Sequence, residues 1–163
     1  MKFVIDTNVA VAANGRDTHA NLACQLACVR FLQAVASERS SHQIVVDQHG
    51  LILGEYKSHL YFKGQPGVGD MFFKYLHDHW YGDVKVRIVA ITPVDDDTRG
   101  FDELPANQLD PSDRKFVATA LSAGAEIVNS LDTDWHRQRM FVAGLNVVVR
   151  QLCPEHGCDD SKC

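Results

Sequence analysis

Short apolar runs alternate along the chain with longer segments in which apolar residues recur every three or four positions. A short, bounded apolar run is typical of a strand that is buried on both faces, as in a parallel sheet. The spacing of three or four predicts a helix with one buried face. Strands that alternate with helices predict an α/β fold, here a three-layer α/β/α sandwich with a mostly parallel sheet of about five strands.

The predicted strands are bounded by turn-forming or charged residues. They lie in segment 2–9, where the apolar run ends at Asp6, and at residues 44–46, 84–91, 126–130 and 146–149. The third of them begins by alternating apolar and basic residues, which is typical of an edge strand with one face in water. The first run and residues 44–46 are continuously apolar, so we expect both to be buried strands.

The predicted helices begin at residues whose side chains can accept hydrogen bonds from the first turn. These N-caps are Thr18, Asp47, Asp70 and Asp110. The helix after Asp110 has Pro111 at its first position and is expected to stop at Gly124. A further helix is predicted at about 135–142.

The helix after Thr18 carries two neighbouring apolar stripes, which predict a wide buried face. The stripes are Leu22, Leu26 and Val29, and Cys24, Cys28, Phe31 and Val35. Cys24 and Cys28 are one turn apart and could chelate a metal, but packing in the core is the favoured interpretation. Five cysteines are an odd number and do not form a dense disulfide framework in a chain of this length, so reduced thiols are expected.

The 163 residues fit one domain, which we place at 1–150, followed by a polar tail at 151–163 that contains cysteines. The tail offers three thiols and an imidazole, but their spacing matches no standard zinc knuckle, so a flexible tail is the favoured interpretation. No apolar stretch is long enough to span a membrane, and the chain begins directly with a strand rather than a signal peptide. A cytoplasmic location without membrane contact is therefore expected.

The net charge of −5 is concentrated in one segment, residues 95–110, which holds six acids and a single arginine. This segment is predicted to be an exposed loop. Because it accounts for the whole net charge, the remainder of the chain is close to neutral. The composition therefore gives no global signal for nucleic-acid binding, but it permits a local basic patch.

Four acids stand out by their positions: Asp6 and Asp132 follow strands, Asp113 lies in the first turn of a helix, and Glu55 lies within one. Taken singly, each could cap or flank a helix or be exposed to solvent. The carboxyl ends of parallel strands meet at one edge of the sheet, where ligands of such folds bind. Carboxylates gathered there repel unless a cation neutralises them, and hard oxygen ligands select Mg²⁺ or Mn²⁺.

These residues and their order resemble the PIN-domain ribonucleases, in particular the toxin components of bacterial toxin–antitoxin pairs. The resemblance runs from residue 3 to about residue 149. It rests on segment 4–9, on strand 44–46 with the helix that bears Glu55, and on segments 110–120 and 125–135. The resemblance implies a PIN-like sandwich. Ser130, where threonine is usual, and Asp47, where serine or threonine often caps the helix, depart mildly from the family pattern.

The resemblance implies that Asp6, Glu55, Asp113 and Asp132 are catalytic residues and metal ligands, with Asp134 as a supplementary ligand. Asn8 and Ser130 would orient carboxylates or water from behind them. Asp110 is a rival for the third acid, but the spacing from Asp113 to Gly124 fits the family better.

The implied activity is a metal-dependent endoribonuclease in which metal-activated water cleaves RNA to leave a 5′-phosphate and a 3′-hydroxyl. Single-stranded or looped RNA would be the substrate, and an antitoxin protein or a second copy of the chain would be possible partners. Cations near the acids could bind neighbouring phosphates, although exposure on helix faces is the alternative interpretation. These cations are Arg114, Lys115, Arg137 and Arg139.

Two alternative functions stay open: a catalytically inert PIN-like module that binds RNA or protein, and a nuclease specific for DNA structures. His49 and His59, which flank Glu55, and His136, which follows Asp134, could approach the acids, although histidines outside a site are commoner. A Ser-His-Asp hydrolase has no support, because the chain lacks a Gly-x-Ser-x-Gly turn.

Overall fold

The computed structural model describes residues 1–81 and 84–154. Its centre is a five-stranded sheet with the order β3-β2-β1-β4-β5, in which every neighbouring pair of strands is parallel. The strands are β1 (Lys2–Ile5), β2 (Gln43–Asp47), β3 (Val86–Val89), β4 (Glu126–Asn129) and β5 (Val149–Gln151). The predicted fold class is confirmed: an α/β protein with a parallel sheet flanked by helices, consistent with a three-layer sandwich.

Seven helices flank the sheet in the part of the chain that the structure describes. They are α1 (Thr7–Asn14), α2 (Leu22–Ala36), α3 (Leu51–His59), α4 (Val68–Asp78), α5 (Arg114–Ala123), α6 (Asp134–Arg137) and α7 (Arg139–Gly144). Among these described helices, none combines the length and the apolar character needed to cross a membrane.

The strand order places a switch point at β1. The chain begins in this central strand, continues outward on one side through β2 and β3, and returns to the other side of β1 with β4 and β5. Phe3, Val4 and Ile5 of β1 are buried, as a central strand requires. The carboxyl ends of β1 and β4 therefore border the crevice in which open α/β sheets bind ligands.

Helix α1 was not predicted, because the segment after Asp6 reads as a continuation of the first strand. The strand ends at Ile5, and the Asp6 carboxylate accepts a hydrogen bond from the Asn8 N–H as the N-cap of α1. The helix ends at Gly15, whose φ of +66° only glycine adopts at little cost. Asp6 thus occupies the turn between the central strand and a helix.

The prediction for the helix after Thr18 was wrong in its start and in one of its two stripes. Helix α2 begins at Leu22, with Asn21 as the cap that accepts from the Cys24 N–H. Leu22 is 69% exposed and Leu26 43%, whereas the stripe with Cys24 is buried. A helix lying on other helices buries one narrow face, so the second stripe faces outward.

Asp70 and Asp110 do not cap helices as predicted. Helix α4 begins at Val68, two residues before Asp70, and the Asp70 side chain is fully buried. Residues 111–113 form a turn in which the Asp110 carboxylate accepts from the Ser112 N–H and hydroxyl, and α5 begins only at Arg114. Asp70 instead lies at the third position of α4 and accepts from the N–H of Gly67, the residue before the helix, whereas Asp110 accepts from the turn that precedes α5.

The predicted end of α5 is confirmed, and Asp47 accepts from the first turn of α3 as predicted, although this helix begins at Leu51 with Gly50 at the N-cap position. The buried Asp47 carboxylate accepts hydrogen bonds of 2.9 Å from the N–H groups of Leu51 and Ile52, which makes it the cap of α3 in function. Helix α5 ends at Gly124, whose φ is +60°.

The last two predicted elements are displaced. The helix expected at 135–142 is broken at Gln138 into α6 and α7. The final strand lies at Val149–Gln151 rather than 146–149, because Asn146 has a φ of +59° and the Val147 N–H bonds back to the Val142 carbonyl. The first residues of this apolar run therefore bond to the end of α7, and the strand begins only at Val149.

The edge strand and the acidic loop match their predictions. Strand β3 lies at the edge of the sheet, although it is shorter than predicted, and Arg87 on it is exposed. Residues 95–110 are irregular, and the acids there are mostly exposed. Phe101, Leu104 and Leu109 are buried and anchor this loop to the core.

The expectation of reduced thiols was wrong for two cysteines, since Cys24 and Cys153 form a disulfide. The pairing joins α2 to the segment after β5 across 129 residues of sequence. A count of cysteines could not reveal it, because the strand order brings these segments together. Cys153 is also buried rather than part of a polar tail, while the remaining tail, residues 155–163, and any zinc site there lie outside the described residues.

Candidate metal centre

All four predicted acids line one cleft of about 370 Å³ at the carboxyl edge of the sheet. Asp6 follows β1 and Asp132 follows the neighbouring strand β4, while α3 contributes Glu55 and the turn before α5 contributes Asp113. Further residues of the lining are Thr7, Asn8, Val11, Asp17, Thr18, His19, His59, Ser112 and Leu131. The topology thus brings together acids that are up to 126 residues apart in sequence.

Asp134 joins two of these acids on the side of α6. One carboxylate oxygen each from Asp113, Asp132 and Asp134 lies within 4.8 Å of the others. Asp113 is buried and the other two are half-buried, so the group is reachable from solvent on one side. This spacing is suitable for three ligands of one small cation.

Asp6 is held rigidly at the base of the cleft. The Trp135 indole N–H donates to Asp6 Oδ2 at 2.6 Å, and the Asn8 N–H donates to Asp6 Oδ1 at 3.1 Å. Asp6 and Trp135 are both buried. Each carboxylate oxygen therefore has one protein donor, which fixes its orientation and leaves lone pairs for a further ligand.

Asn8 ties the end of β4 to the start of α1. Its side-chain oxygen accepts from the Ser130 N–H at 2.9 Å and the Ser130 hydroxyl at 2.5 Å. The predicted positioning residues thus contact each other and hold the backbone that leads to Asp132, while the backbone N–H of Asn8 also donates to the Asp6 carboxylate. The amide of Gln151 on β5 supports the same segment by donating to the Ser130 carbonyl at 2.6 Å.

Glu55 is oriented from two sides. The Thr7 hydroxyl donates to Glu55 Oε1 at 2.7 Å, and the Lys115 ammonium lies 2.5 Å from Oε2. Next to Glu55 in α3, the buried Tyr56 donates its hydroxyl to the Ile5 carbonyl at 2.5 Å, which fixes α3 against the end of β1. Lys115 is the cation nearest to this acid and partly neutralises it.

Asp113 has few donors for a buried carboxylate. The Gln138 amide approaches its Oδ2 at 3.4 Å, which is long for a hydrogen bond. The oxygen of the same Gln138 amide is buried and has no hydrogen-bond partner. The carboxylate of Asp113 and the amide oxygen of Gln138 therefore lack close hydrogen-bond donors among the described residues.

Burial and mutual repulsion raise the pKa values of three acids. Burial is the main cause of the rise in the pKa of Asp6 to about 7, against the lowering effect of Trp135 and Asn8. The pKa of Asp113 also rises to about 7, first through burial and then through the charges of Asp132 and Asp6. Burial likewise raises the pKa of Asp132. Together these shifts show that the protein alone does not compensate the negative charge of the cleft.

The four cations predicted to bind RNA have different surroundings. Arg114 is buried and donates to the Asp97 carbonyl at 2.7 Å, so its guanidinium fastens the acidic loop to α5. Lys115 pairs with Glu55, and Arg137 pairs with Asp134 at 2.8 Å. Arg139 is exposed on α7 and donates to the His136 carbonyl at 2.9 Å. Lys115 and Arg137 thus directly contact acids of the centre.

His59 is the one member of the predicted histidine trio among the residues that line the cleft. The His49 ring contacts the Ile91 carbonyl at 2.9 Å instead. Asp110, the rival third acid, lies in a neighbouring depression with Asp134 and not in the cleft itself. The placement therefore favours Asp113 over Asp110.

Sequence reasoning missed several residues that shape the centre: Trp135, Gln138, Asp17 and His19, and the role of Thr7. Thr7 could have been noticed, because a hydroxyl beside a strand-end acid is a natural partner for another carboxylate. Trp135 adjoins Asp134, but nothing in a linear pattern indicates that its indole reaches Asp6, 129 residues away.

The donor set fits a hard divalent cation. The convergent groups are all carboxylates, and neither cysteine sulfur nor an imidazole belongs to the Asp113, Asp132 and Asp134 group. Mg²⁺ and Mn²⁺ bind such oxygen ligands together with water. The unsatisfied negative charge would stabilise a bound cation.

No family model matches this chain, and no curated protein matches it at a significant level.

Proposed function

We propose that the protein is a PIN-like endoribonuclease that hydrolyses RNA phosphodiester bonds with the help of Mg²⁺ or Mn²⁺. The observation that carries the proposal is the convergence of five acids at the switch point of a parallel sheet, with the pKa of two of them raised to about 7. A scaffold gains no stability from burying mutually repelling carboxylates, whereas a cation site requires them.

Asp113, Asp132 and Asp134 would hold the cation, with Asp6 and Glu55 facing it across the cleft. A bound divalent ion lowers the pKa of a coordinated water and stabilises the negative charge that develops on a phosphodiester. The chain supplies orientation: Trp135 and Asn8 fix the rotamer of Asp6, and Thr7 fixes Glu55. Such outer contacts keep carboxylates in position before a ligand arrives.

An elongated substrate is favoured by the surface beside the cleft. A second depression of about 630 Å³ is lined by Asp134, whose carboxylate lies within 4.8 Å of oxygens of Asp113 and Asp132 in the cleft. Arg137, Gln138 and Phe141 line this depression, so it offers a cation, an amide and an aromatic ring. These groups can contact a phosphate and a base, and an accessible single strand would present both.

The decisive experiment replaces Asp6 by asparagine, which keeps its size and its ability to accept from Trp135. We expect cleavage of a single-stranded RNA pool in Mg²⁺ or Mn²⁺ to fall roughly a hundredfold or more, because even residues behind metal ligands change activity by about 10–100-fold. Asp95→Asn, which changes an exposed acid of the 95–110 loop, is the matched control and should retain activity.

Three outcomes would contradict this proposal in different ways. Equal cleavage by the wild type and Asp6→Asn would show that the acids of the cleft take no part in the reaction. Binding of RNA by the wild type without cleavage would favour the inert module. Cleavage of DNA flaps with intact RNA would favour the structure-specific nuclease. The toxin role and its antitoxin partner require that expression of the wild type, but not of Asp6→Asn, arrests growth of a bacterial host.

A further inference from the structure

Three cysteine sulfurs converge at a point that the acidic cleft does not use. Cys24 and Cys28 lie one turn apart on α2, and Cys153 follows β5 by two residues. Their sulfur atoms all lie within 4.8 Å of one another, and each of the three residues is at most 1% exposed. Two helix positions and one chain segment 125 residues further along therefore form a single buried thiol cluster.

Within the cluster, Cys153 is the shared partner. It forms the disulfide with Cys24, for which the Cα–Cα distance of 5.1 Å lies within the usual range. The sulfur of Cys28 is 3.9 Å from the sulfur of Cys153 and is not part of the disulfide. A structural crosslink needs two cysteines, so the third sulfur beside Cys153 calls for another explanation.

We propose that Cys24, Cys28 and Cys153 form a thiol–disulfide exchange centre that reversibly fastens the segment after β5 to α2. In the exchange step the Cys28 thiolate attacks the Cys153 sulfur. The Cys28–Cys153 bond forms while the Cys24–Cys153 bond breaks, and Cys24 leaves as a thiolate that takes up the proton lost by Cys28. This step consumes no oxidant, because the number of disulfides is unchanged.

The first disulfide forms from two thiols by reaction with a low-molecular-weight disulfide such as glutathione disulfide. That exchange oxidises two cysteines, forms one protein disulfide and releases two molecules of reduced glutathione. Reduction by an excess of dithiol reverses it.

Access to the buried cluster is provided by the short strand before Cys153. Strand β5 has three residues, all only partly buried, and lies at the edge of the sheet. Local opening of such a strand requires much less free energy than opening of the core. In the reduced protein, Cys153 can therefore move out of the cluster and meet a dissolved disulfide while Cys24 and Cys28 stay on α2.

The disulfide restrains the segment after β5, and β5 itself forms hydrogen bonds with the end of the neighbouring strand β4. Gln151 of β5 donates to the carbonyls of Ser130 and Cys153 and accepts from the Asn129 amide. A crosslink that closes 129 residues also restricts the unfolded chain. Oxidation should consequently raise the melting temperature, by roughly 10 °C for a domain of this size. The inference does not depend on the proposed nuclease activity.

The test uses the full chain in a Cys158→Ser/Cys163→Ser background, which leaves only the three cysteines of the cluster. Each protein is equilibrated with glutathione disulfide, trapped by alkylation and mapped by tandem mass spectrometry. We expect a Cys24–Cys153 bond in the background protein and in Cys28→Ser, and a Cys28–Cys153 bond in Cys24→Ser. Cys153→Ser should form neither bond, and dithiothreitol should lower the melting temperature of every variant except this one.

Three results would overturn the proposal. The first is a Cys153 that stays reduced in the background protein at every ratio of oxidised to reduced glutathione. The second is a Cys24→Ser variant that forms no Cys28–Cys153 bond although it melts as a folded protein. The third is purification of the reduced protein with one equivalent of zinc or copper that is lost in Cys28→Ser, which would make the cluster a metal site.

Discussion

Among the described regions that bury carboxylates, the surroundings of Asp70 and the acidic cleft compensate the negative charge in opposite ways. Asp70, near the start of α4, is fully buried and does not line the cleft. Asp6 and Asp113 are nearly as buried and lie in the cleft at the sheet edge. Burial alone therefore does not distinguish an acid that stabilises the fold from an acid of the candidate metal centre.

Asp70 is surrounded by donors. It accepts hydrogen bonds from the N–H groups of Gly67 and Tyr61 and from the Asn14 amide, and it forms an ion pair with Arg16. Burial opposes its charge, but these donors outweigh burial and hold the pKa of Asp70 below its ordinary value. The carboxylate joins α1, α4 and the segment after α3.

The cleft offers its acids few donors and several like charges. Asp6 has two donors, and the single contact of Asp113 with Gln138 is long. Their pKa values consequently move upward, to about 7. The comparison shows that the number of donors and like charges around a buried acid, rather than its burial alone, decides whether its pKa falls or rises.

The largest expected effect is the dependence of the stability of the metal-free protein on pH. Since folding raises the pKa of Asp6 from 3.8 to about 7, the folded state binds a proton more tightly than the unfolded state. Its contribution to stability is complete below about pH 4, falls as the pH rises to about 7 and is then constant. The loss for Asp6 is at most about 4 kcal/mol.

Urea denaturation between pH 4 and pH 8 in the presence of a chelator measures this effect. Asp6→Asn should flatten the profile, and Mn²⁺ should restore the stability of the wild type at pH 8. If the wild type instead gained stability relative to Asp6→Asn between pH 5 and pH 8, folding would lower the pKa of Asp6. The donors around Asp6 would then compensate its charge as they do for Asp70, and the contrast between the two regions would be wrong.

Replacing Asp70 by alanine should have the next largest effect. It leaves buried donors without an acceptor and removes the partner of Arg16, so we expect the free energy of unfolding to fall by about 2–4 kcal/mol. Asp78→Ala, which changes an exposed acid on the same helix, should leave the urea midpoint unchanged. A stable Asp70→Ala variant would show that its donors find water or other acceptors.

The smallest effect separates the two candidates for the third acid. Asp113→Asn should weaken Mn²⁺ binding at least about tenfold, or about 1.4 kcal/mol, because its oxygen lies in the Asp113, Asp132 and Asp134 group. Asp110→Asn, which changes a carboxylate outside the cleft, should weaken it by less than about threefold. Isothermal titration calorimetry measures the Mn²⁺ affinity of both variants. A larger loss of affinity in Asp110→Asn than in Asp113→Asn would make Asp110 the third acid of the centre.

Much of the fold was predictable because it depends on local pattern. Buried strands appear as short apolar runs, and their alternation with helices restricts the sheet to parallel connections. Helix starts were less predictable, because Asp70 and Asp110 resemble N-caps in sequence, yet α4 begins two residues before Asp70 and α5 begins four residues after Asp110. Helix α1 was not predicted, because periodicity alone does not distinguish a short, continuous apolar run in a helix from one in a strand.

The positions of the candidate acids were also predictable, because acids at strand ends of a parallel sheet share one edge. Their surroundings were not. The Trp135 indole that fixes Asp6, the Lys115 ammonium beside Glu55 and the Cys153 sulfur beside Cys28 come from distant parts of the chain.

The sequence by itself determined the alternation of strands and helices, the parallel sheet and the set of acids at its edge, since each follows from residue type and spacing. Only the tertiary structure decided which buried acids accept enough hydrogen bonds to compensate their charge, and which cysteine sulfurs lie in contact. The physical reason is that hydrogen bonds and sulfur contacts act over a few ångströms. The partners that share such short distances are chosen by the strand order, not by proximity in the chain.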